Sequence, residues 1–378
     1  MDKNTRICII GGGPAGLSAA ISAASCGAKV TLLEREDNLG GQLKKQTHKF
    51  FGSQKQYAST RGFDIGKILE EQIKEYEDNI EILTDATVLG FFEDGVLTYE
   101  HNKVYRKLKP ERLIVATGAS EKFLAFPNND LPGIYGAGAV QTLMNEYGVK
   151  PGDNVLMVGA GNIGLIVSYQ LMQAGVNVKA IIDAAPQIGG YLVHASKIRR
   201  AGVPILVSHT IKYAHGTNSV EGATIWELDE KWNPIPGTEK EIDTDVICIS
   251  VGLSPIGEFL WNAGCDMKYV PELGGHVPMR DKNLKTSVGK VYVAGDAAGI
   301  EEASSAMVEG RLAGISAAIS LGYESEEFEE LREDYIEQLN SLRSGPVGQK
   351  ILSGLNKVFS NIIQKPNGFL KCRCRFVI

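Results

Sequence analysis

One pattern occurs twice in this chain and constrains its fold more than any other. The apolar run Ile7-Cys8-Ile9-Ile10 leads into Gly11-Gly12-Gly13-Pro14-Ala15-Gly16, and an Ala- and Ser-rich stretch of helical character follows to about Cys26. A second apolar run then closes on an acid, Glu34. About 150 residues further on the order returns: Asn154 to Val158, then Gly159-Ala160-Gly161-Asn162-Ile163-Gly164, a helical segment and a run ending on Asp183. Strand, glycine loop, helix and strand make a compact βαβ start, so the chain carries this unit in duplicate.

The glycine spacing has a chemical reading. The first glycine of such a loop permits the tight turn, the second lets a pyrophosphate approach the backbone, and the third lets helix and strand pack closely. The helix N-terminus offers free N–H groups and partial positive charge to the phosphates. Gly11, Gly13, Pro14, Ala15 and Gly16 are therefore expected to cradle one dinucleotide. Glu34, with Arg35 beside it, is placed to take the ribose hydroxyls. Gly159, Gly161, Asn162, Ile163 and Gly164 are expected to cradle a second. There Asp183 favours NAD(H) over NADP(H), because a carboxylate repels a 2′-phosphate and no arginine adjoins it.

A third motif, Val291-Tyr292-Val293-Ala294-Gly295-Asp296, precedes a helix start at Glu302-Ala303. The Asp296 carboxylate can accept a hydrogen bond from a sugar-alcohol hydroxyl. The helix N-terminus can stabilise negative charge on a reduced flavin. Two dinucleotides held by one chain form an arrangement for moving a hydride between nicotinamide and flavin. The cofactor carries that chemistry, and no catalytic nucleophile–base pair or metal-ligand cluster is read from the sequence.

Composition adds exclusions. The formal charge is −6, which offers no basic face to a nucleic acid. No apolar run is long enough to span a bilayer. The N-terminus runs straight into a strand rather than a secretory signal. Six cysteines in 378 residues do not make a disulfide scaffold, so a cytoplasmic, reducing location is the default.

The expected fold class is α/β: two Rossmann-like dinucleotide-binding domains, the second inserted into a discontinuous first, with a helical C-terminal tail. The boundaries read as 1–125 and 273–323 for the first domain, 126–272 for the second and 324–378 for the extension. The Pro-rich stretch Phe126-Pro127 to Leu131-Pro132-Gly133 reads as the linker between domains. Short strands are expected near Ile80–Leu83, Val88–Phe92 and Val96–Tyr99. Val251-Gly252, after an apolar run, is a weaker echo of Ala116-Thr117-Gly118. The tail carries an acidic stretch from Glu326 to Leu342 and an amphipathic one from Lys350 to Gln364, read as core or subunit-contact surface.

These landmarks, with Gly40-Gly41-Gln42-Leu43, resemble the pyridine-nucleotide-disulfide oxidoreductase superfamily and its compact, thioredoxin-reductase-like branch over about residues 1–323. The resemblance implies FAD on the first domain, with Gly41, Gln42, Thr117 and Gly118 along it and Val88 near the adenine. It implies NAD(P)H on the second domain, with Gly252 in the cofactor site.

One departure matters. Where that branch has its redox Cys-x-x-Cys, this chain has Gly136-Ala137-Gly138-Ala139-Val140-Gln141. Without paired thiols, electrons cannot leave the flavin by thiol–disulfide exchange. The stretches Gly274–Pro278, Gln46–Gly52 and Gly299–Gly314 look like the flavin/NAD alpha subunits of dye-linked proline dehydrogenase, opine/octopine oxidase and hydrogen cyanide synthase. That likeness implies an electron-transfer subunit of an amine or imino-acid dehydrogenase complex, working with a second dehydrogenase subunit or as a homo-oligomer. A stand-alone NADH oxidase, an unusual disulfide reductase and a non-catalytic nucleotide-binding scaffold are the alternatives. In that group a Cys-x-Cys opens a [2Fe–2S] module of four thiolates. Cys372-Arg373-Cys374 here reads as a truncated module, a half-site shared with another chain, or two reactive tail thiols.

Overall fold

The structure is a computed structural model that describes residues 6–50 and 53–359; Cys372 and Cys374 lie outside these. The chain divides into two compact units. One is discontinuous, Met1–Ser120 with Ser254–Ile378, and the other is Glu121–Leu253.

Each unit is built on a five-stranded sheet whose pairings are all parallel. In the discontinuous unit the order is Val291–Val293, Arg112–Val115, Ile7–Ile10, Val30–Leu33 and Ile80–Leu83. All four residues of Ile7–Ile10 and of Val30–Leu33 are buried, as expected of strands covered on both faces. In the other unit the order is Ile205–Val207, Asn177–Asp183, Asn154–Val158, Val246–Ile249 and Ile134–Gly136. In both, the strand feeding the glycine loop is central. The chain runs outward to one side of it and resumes on the other. That reversal puts the loop at a topological switch point, where open α/β sheets bind ligands.

The stretch 254–272, expected with the inserted domain, belongs to the discontinuous unit. Leu260, Ala263 and Cys265 enter the core formed by Cys8, Leu113, Val115 and Val293. The Pro-rich stretch from Phe126 to Gly133 lies inside the other unit, with Leu124, Phe126 and Leu131 packed against its core. An antiparallel ladder of Ala86–Phe91, Leu97–His101 and Val104–Leu108 adds a strand that the sequence reading lacks.

The long helix Ala303–Ile319 is buried on nearly every side. It lies so close to the helix Pro14–Ser25 that a Cβ on Gly310 would meet the Ala15 carbonyl oxygen at 2.1 Å, and one on Gly314 that of Ala19 at 2.3 Å. The acidic stretch forms the helix Glu326–Leu342, capped by the Ser325 side chain. The described part of the amphipathic stretch lies in the helix Pro346–Val358, whose Ile351, Leu355 and Val358 close a small core with Val270, Leu273 and Val277; residues 360–364 of the stretch lie outside the described residues. None of the described helices is long and apolar enough to cross a membrane.

Candidate dinucleotide sites

The outer glycines of the first loop are demanded by the fold. Gly11 has φ +105°, and a Cβ there would sit 2.3 Å from the Ala116 carbonyl oxygen of the neighbouring strand. A Cβ on Gly16 would lie 1.8 Å from the Gly11 oxygen. The middle glycine differs. Gly13 has an ordinary extended backbone (φ −78°, ψ −172°), and a Cβ there finds nothing nearer than the Gly41 Cα at 3.9 Å. No packing inside the protein requires a glycine at position 13, and the space before it is open. Gly13 is also the N-cap of the helix and supplies no side-chain cap, with Pro14 in the first turn. The first N–H groups of a helix lack intrahelical partners.

Gly40, Gly41 and Glu34 pack against this loop. The Gly40 amide donates to the Gly12 carbonyl at 2.9 Å, which lays Gly41 and the exposed Gln42 against the loop. Glu34 accepts the Gly12 amide on Oε2 at 2.5 Å and the Glu36 amide on Oε1 at 2.8 Å. Its carboxylate braces the loop and keeps further lone pairs for other donors. The Ala86 amide donates to the Glu34 carbonyl at 2.8 Å, so Val88 follows two residues along a strand anchored at this point. Arg35 pairs with Glu36 at 3.1 Å and is 75% exposed, a surface ion pair. Thr117 Oγ1 donates to the Ile256 carbonyl at 2.9 Å, and Gly118 turns with φ +76° beside open space.

The third motif meets the first at Ala15. A Cβ on Gly295 would lie 2.8 Å from that of Ala15, the residue against which Gly310 also closes. Asp296 Oδ1 accepts the Glu301 amide at 3.4 Å. Burial pushes the Asp296 carboxyl up to about 7, with the charges of Glu309 and Glu301 adding to the rise and the Glu301 amide opposing it. Glu302 forms the N-cap of the long helix, which starts at Ala303.

Beneath this turn is a buried charge cluster that the sequence reading did not identify. Glu309 Oε2 accepts the Gly295 amide at 2.9 Å. Arg343 donates to Glu309 Oε1 at 2.6 Å and forks onto Glu301 at 2.7 and 3.0 Å. The three side chains are only 4–8% exposed. Arg280, 1% exposed, is a second cation facing the two glutamates. The available signal was Glu309 itself, a charge in the middle of a Gly- and Ala-rich helix with no polar face.

The second unit repeats this geometry. Gly159 has φ +117° and its Cβ would fall 2.1 Å from the Ser250 oxygen; that of Gly164 would fall 2.1 Å from the Gly159 oxygen. Gly161 again caps its helix with extended backbone, and a Cβ there meets nothing within 4 Å. Asp183 accepts the Ala160 amide at 2.6 Å and the Ala185 amide at 2.8 Å, matching Glu34 bond for bond. Asn162 uses its side-chain oxygen on the Tyr191 amide at 2.8 Å. Ile163 is 39% exposed on the first helical turn. Gly252 turns with φ +113°, and its carbonyl accepts the Lys122 amide at 2.9 Å.

The duplication extends further than the sequence reading took it. Gly189-Gly190 follows Asp183 at the same distance as Gly40-Gly41 follows Glu34. The Gly190 amide, one position later in its pair than Gly40, donates to the Ala160 carbonyl at 2.9 Å, as that of Gly40 does to Gly12.

The described cysteines offer no redox pair. Cys8, Cys26, Cys248 and Cys265 are free and buried, and burial pushes all four thiols up, Cys26 and Cys265 to about 11. A thiol so far from ionisation supplies little thiolate.

With two such loops, two strand-end carboxylates and a Gly-Asp turn in place, residues 5–310 match the pyridine nucleotide-disulphide oxidoreductase family, and the chain belongs to it. It is an oxidoreductase of a family that binds FAD and NAD(P). It is 27% identical over 330 residues to an opine oxidase subunit of Agrobacterium tumefaciens (strain Ach5), covering 83% of this chain and 65% of that protein's length. It is 25% identical to hydrogen cyanide synthase subunit HcnB of Pseudomonas protegens, covering 97% and 81%. In fold it is similar to thioredoxin reductase of T. acidophilum, with a TM-score of 0.69 at 24% identity, covering 83% of this chain and 98% of that one.

Proposed function

We propose that this chain is an FAD-dependent, NADH-linked oxidoreductase subunit that relays electrons between a nicotinamide and a partner amine or imino-acid dehydrogenase. In this reading Gly11, Gly13, Pro14, Ala15 and Gly16 cradle the FAD pyrophosphate, and Glu34 takes the ribose. Gly41, Gln42, Val88, Thr117 and Gly118 line the cofactor. Asp296 and the helix start at Glu302-Ala303 meet its ribityl and flavin portions. Arg35, which pairs with Glu36 at the surface, stands beside Glu34 at the ribose end of this site. Gly159, Gly161, Asn162, Ile163, Gly164 and Gly252 hold the nicotinamide dinucleotide, and the carboxylate of Asp183 selects NAD(H).

The observation that carries the reading is the contrast within each glycine loop. The outer glycines are forced by backbone contacts of 1.8–2.3 Å, whereas Gly13 and Gly161 face open space. A fold that needed only a tight turn would accept a side chain at those two positions. Bound FAD would supply a two-electron acceptor and donor, and the protein contributes position and electrostatics. The partner role is supported by relatives named as subunits and by the burial of the four described cysteines, which form no redox pair among the described residues. The test is NADH-dependent dye reduction by the FAD-loaded chain. Turnover with NADH well above that with NADPH is expected, and absence of turnover with either nucleotide refutes the nicotinamide assignment.

A further inference from the structure

Arg343 lies 33 residues beyond the family match, at the C-cap of the acidic helix. It nevertheless grips both residues that hold the Gly295-Asp296 turn. Along one arm its Nη2 donates to Glu309 Oε1 at 2.6 Å, and Glu309 Oε2 accepts the Gly295 amide at 2.9 Å. Along the other it forks onto the Glu301 carboxylate at 2.7 and 3.0 Å, and the Glu301 amide donates to Asp296 Oδ1 at 3.4 Å.

We infer that Arg343 is a positioning residue for the FAD site, through which the C-terminal helices clamp the Gly295-Asp296 turn and set its charge. The inference rests on the reading of that turn as part of the flavin site.

The charge count explains why the clamp needs an arginine. Glu301 and Glu309 are two buried carboxylates, and buried charges persist only when paired and hydrogen-bonded. Arg280 and Arg343 balance them. Among the described residues Arg280 does not share the gripping role: its Nη1 donates to the Pro278 carbonyl at 3.4 Å, and its Nε is buried without a hydrogen-bond partner. Only the planar fork of Arg343 reaches both carboxylates at once. The backbone holds it in place: a Cβ on Gly348 would meet the Arg343 carbonyl oxygen at 2.1 Å, so the helix Pro346–Val358 starts directly on Arg343. That helix is in turn seated on Leu273 through Gly354 and Leu355.

Removing Arg343 leaves an uncompensated negative charge under the turn. It frees the Glu309 carboxylate to move off the Gly295 amide, and the excess charge opposes the negative charge of a reduced flavin. The test compares wild type with R343M, R343K and the double variant R343M/E309Q. Three readouts are taken: the FAD dissociation constant, the flavin midpoint potential, and hydrogen exchange at the Gly295 amide in the FAD-free protein.

R343M is expected to weaken FAD binding by about tenfold, within the usual range of coupling between sites, to lower the midpoint potential and to speed Gly295 exchange. R343M/E309Q removes the excess charge while the glutamine oxygen still accepts the Gly295 amide. It is expected to regain the potential and most of the affinity. R343K keeps the charge and loses the fork, so its potential stays near wild type while affinity falls and exchange quickens; it carries the test if R343M does not fold. Wild-type values for R343M in all three readouts overturn the inference, as does a double variant no better than R343M, or R343K indistinguishable from wild type. A wild-type chain that binds no FAD overturns the flavin reading itself, and the inference with it.

Discussion

Asp296 provides a test that runs through stability and requires no ligand. Its carboxyl is pushed from 3.8 to about 7, chiefly by burial and further by the charges of Glu309 and Glu301. That is roughly three orders of magnitude in proton affinity, each worth about 1.4 kcal/mol, so the ceiling is about 4 kcal/mol. Asp296 keeps some solvent contact, and screening brings the expected value to about 2 kcal/mol.

The sign follows from proton counting. Between about pH 4 and pH 7 the folded carboxyl holds a proton that the unfolded one has released, so stability falls as pH rises through this window. Below it both forms are protonated, and above it both are ionised. Asp296→Asn is neutral throughout, and its side-chain oxygen can still accept the Glu301 amide. Urea denaturation of the FAD-free protein, followed by circular dichroism, should show the two proteins nearly equal at pH 4. At pH 8 the variant should be more stable by about 2 kcal/mol. Glu301, Glu309, Arg280 and Arg343, the other charged groups of this cluster, are common to both proteins and largely cancel in the difference. A gap that does not change with pH would refute the reasoning, as would one that widens on acidification. The same substitution should weaken FAD binding, because a residue kept at a folding cost belongs to a functional site.

The glycine contrast gives further outcomes. Gly13→Ala should leave the FAD-free protein within about 0.5 kcal/mol of wild type, as for a surface change, yet lower FAD affinity at least tenfold. Gly16→Ala should destabilise the fold by about 3 kcal/mol or prevent folding, since its Cβ would lie 1.8 Å from a backbone oxygen. Thermal melts and FAD titrations separate the two. Gly161→Ala should raise the KM for NADH about tenfold with FAD affinity unchanged. Asp183→Ser should lower the NADH-over-NADPH ratio of kcat/KM by about tenfold, and an unchanged ratio would show that this carboxylate does not select the nucleotide.

Much of this was legible in the sequence, because the decisive features are local. A glycine loop between an apolar strand and a helix, with an acid at the end of the next strand, is written within about 30 residues. The Glu34–Gly12 and Asp183–Ala160 bonds join positions inside that window. The Arg343 cluster was not legible, since it joins residues 34 and 42 positions apart through a helix that follows the family motifs. The strand Val104–Leu108 escaped notice because four of its five residues are exposed and give no apolar pattern. Its turn shows instead in Asn102 and Lys103, both with positive φ. The return to the discontinuous unit at Ser254 was obscured by short elements, such as the helix Glu258–Asn262, too brief to show a period. The Gly189-Gly190 echo was visible in the sequence and is recognised only once its amide is seen to repeat the Gly40 contact.

The central claim is that one chain holds FAD and NADH and passes a hydride between them. An anaerobic titration of the FAD-reconstituted chain with NADH, followed by visible absorbance, tests it most directly. The account predicts bleaching of the flavin band that is complete near one equivalent of NADH. A flavin that binds and stays oxidised under excess NADH, with no partner present, would contradict it and leave a nucleotide-binding scaffold as the reading to pursue.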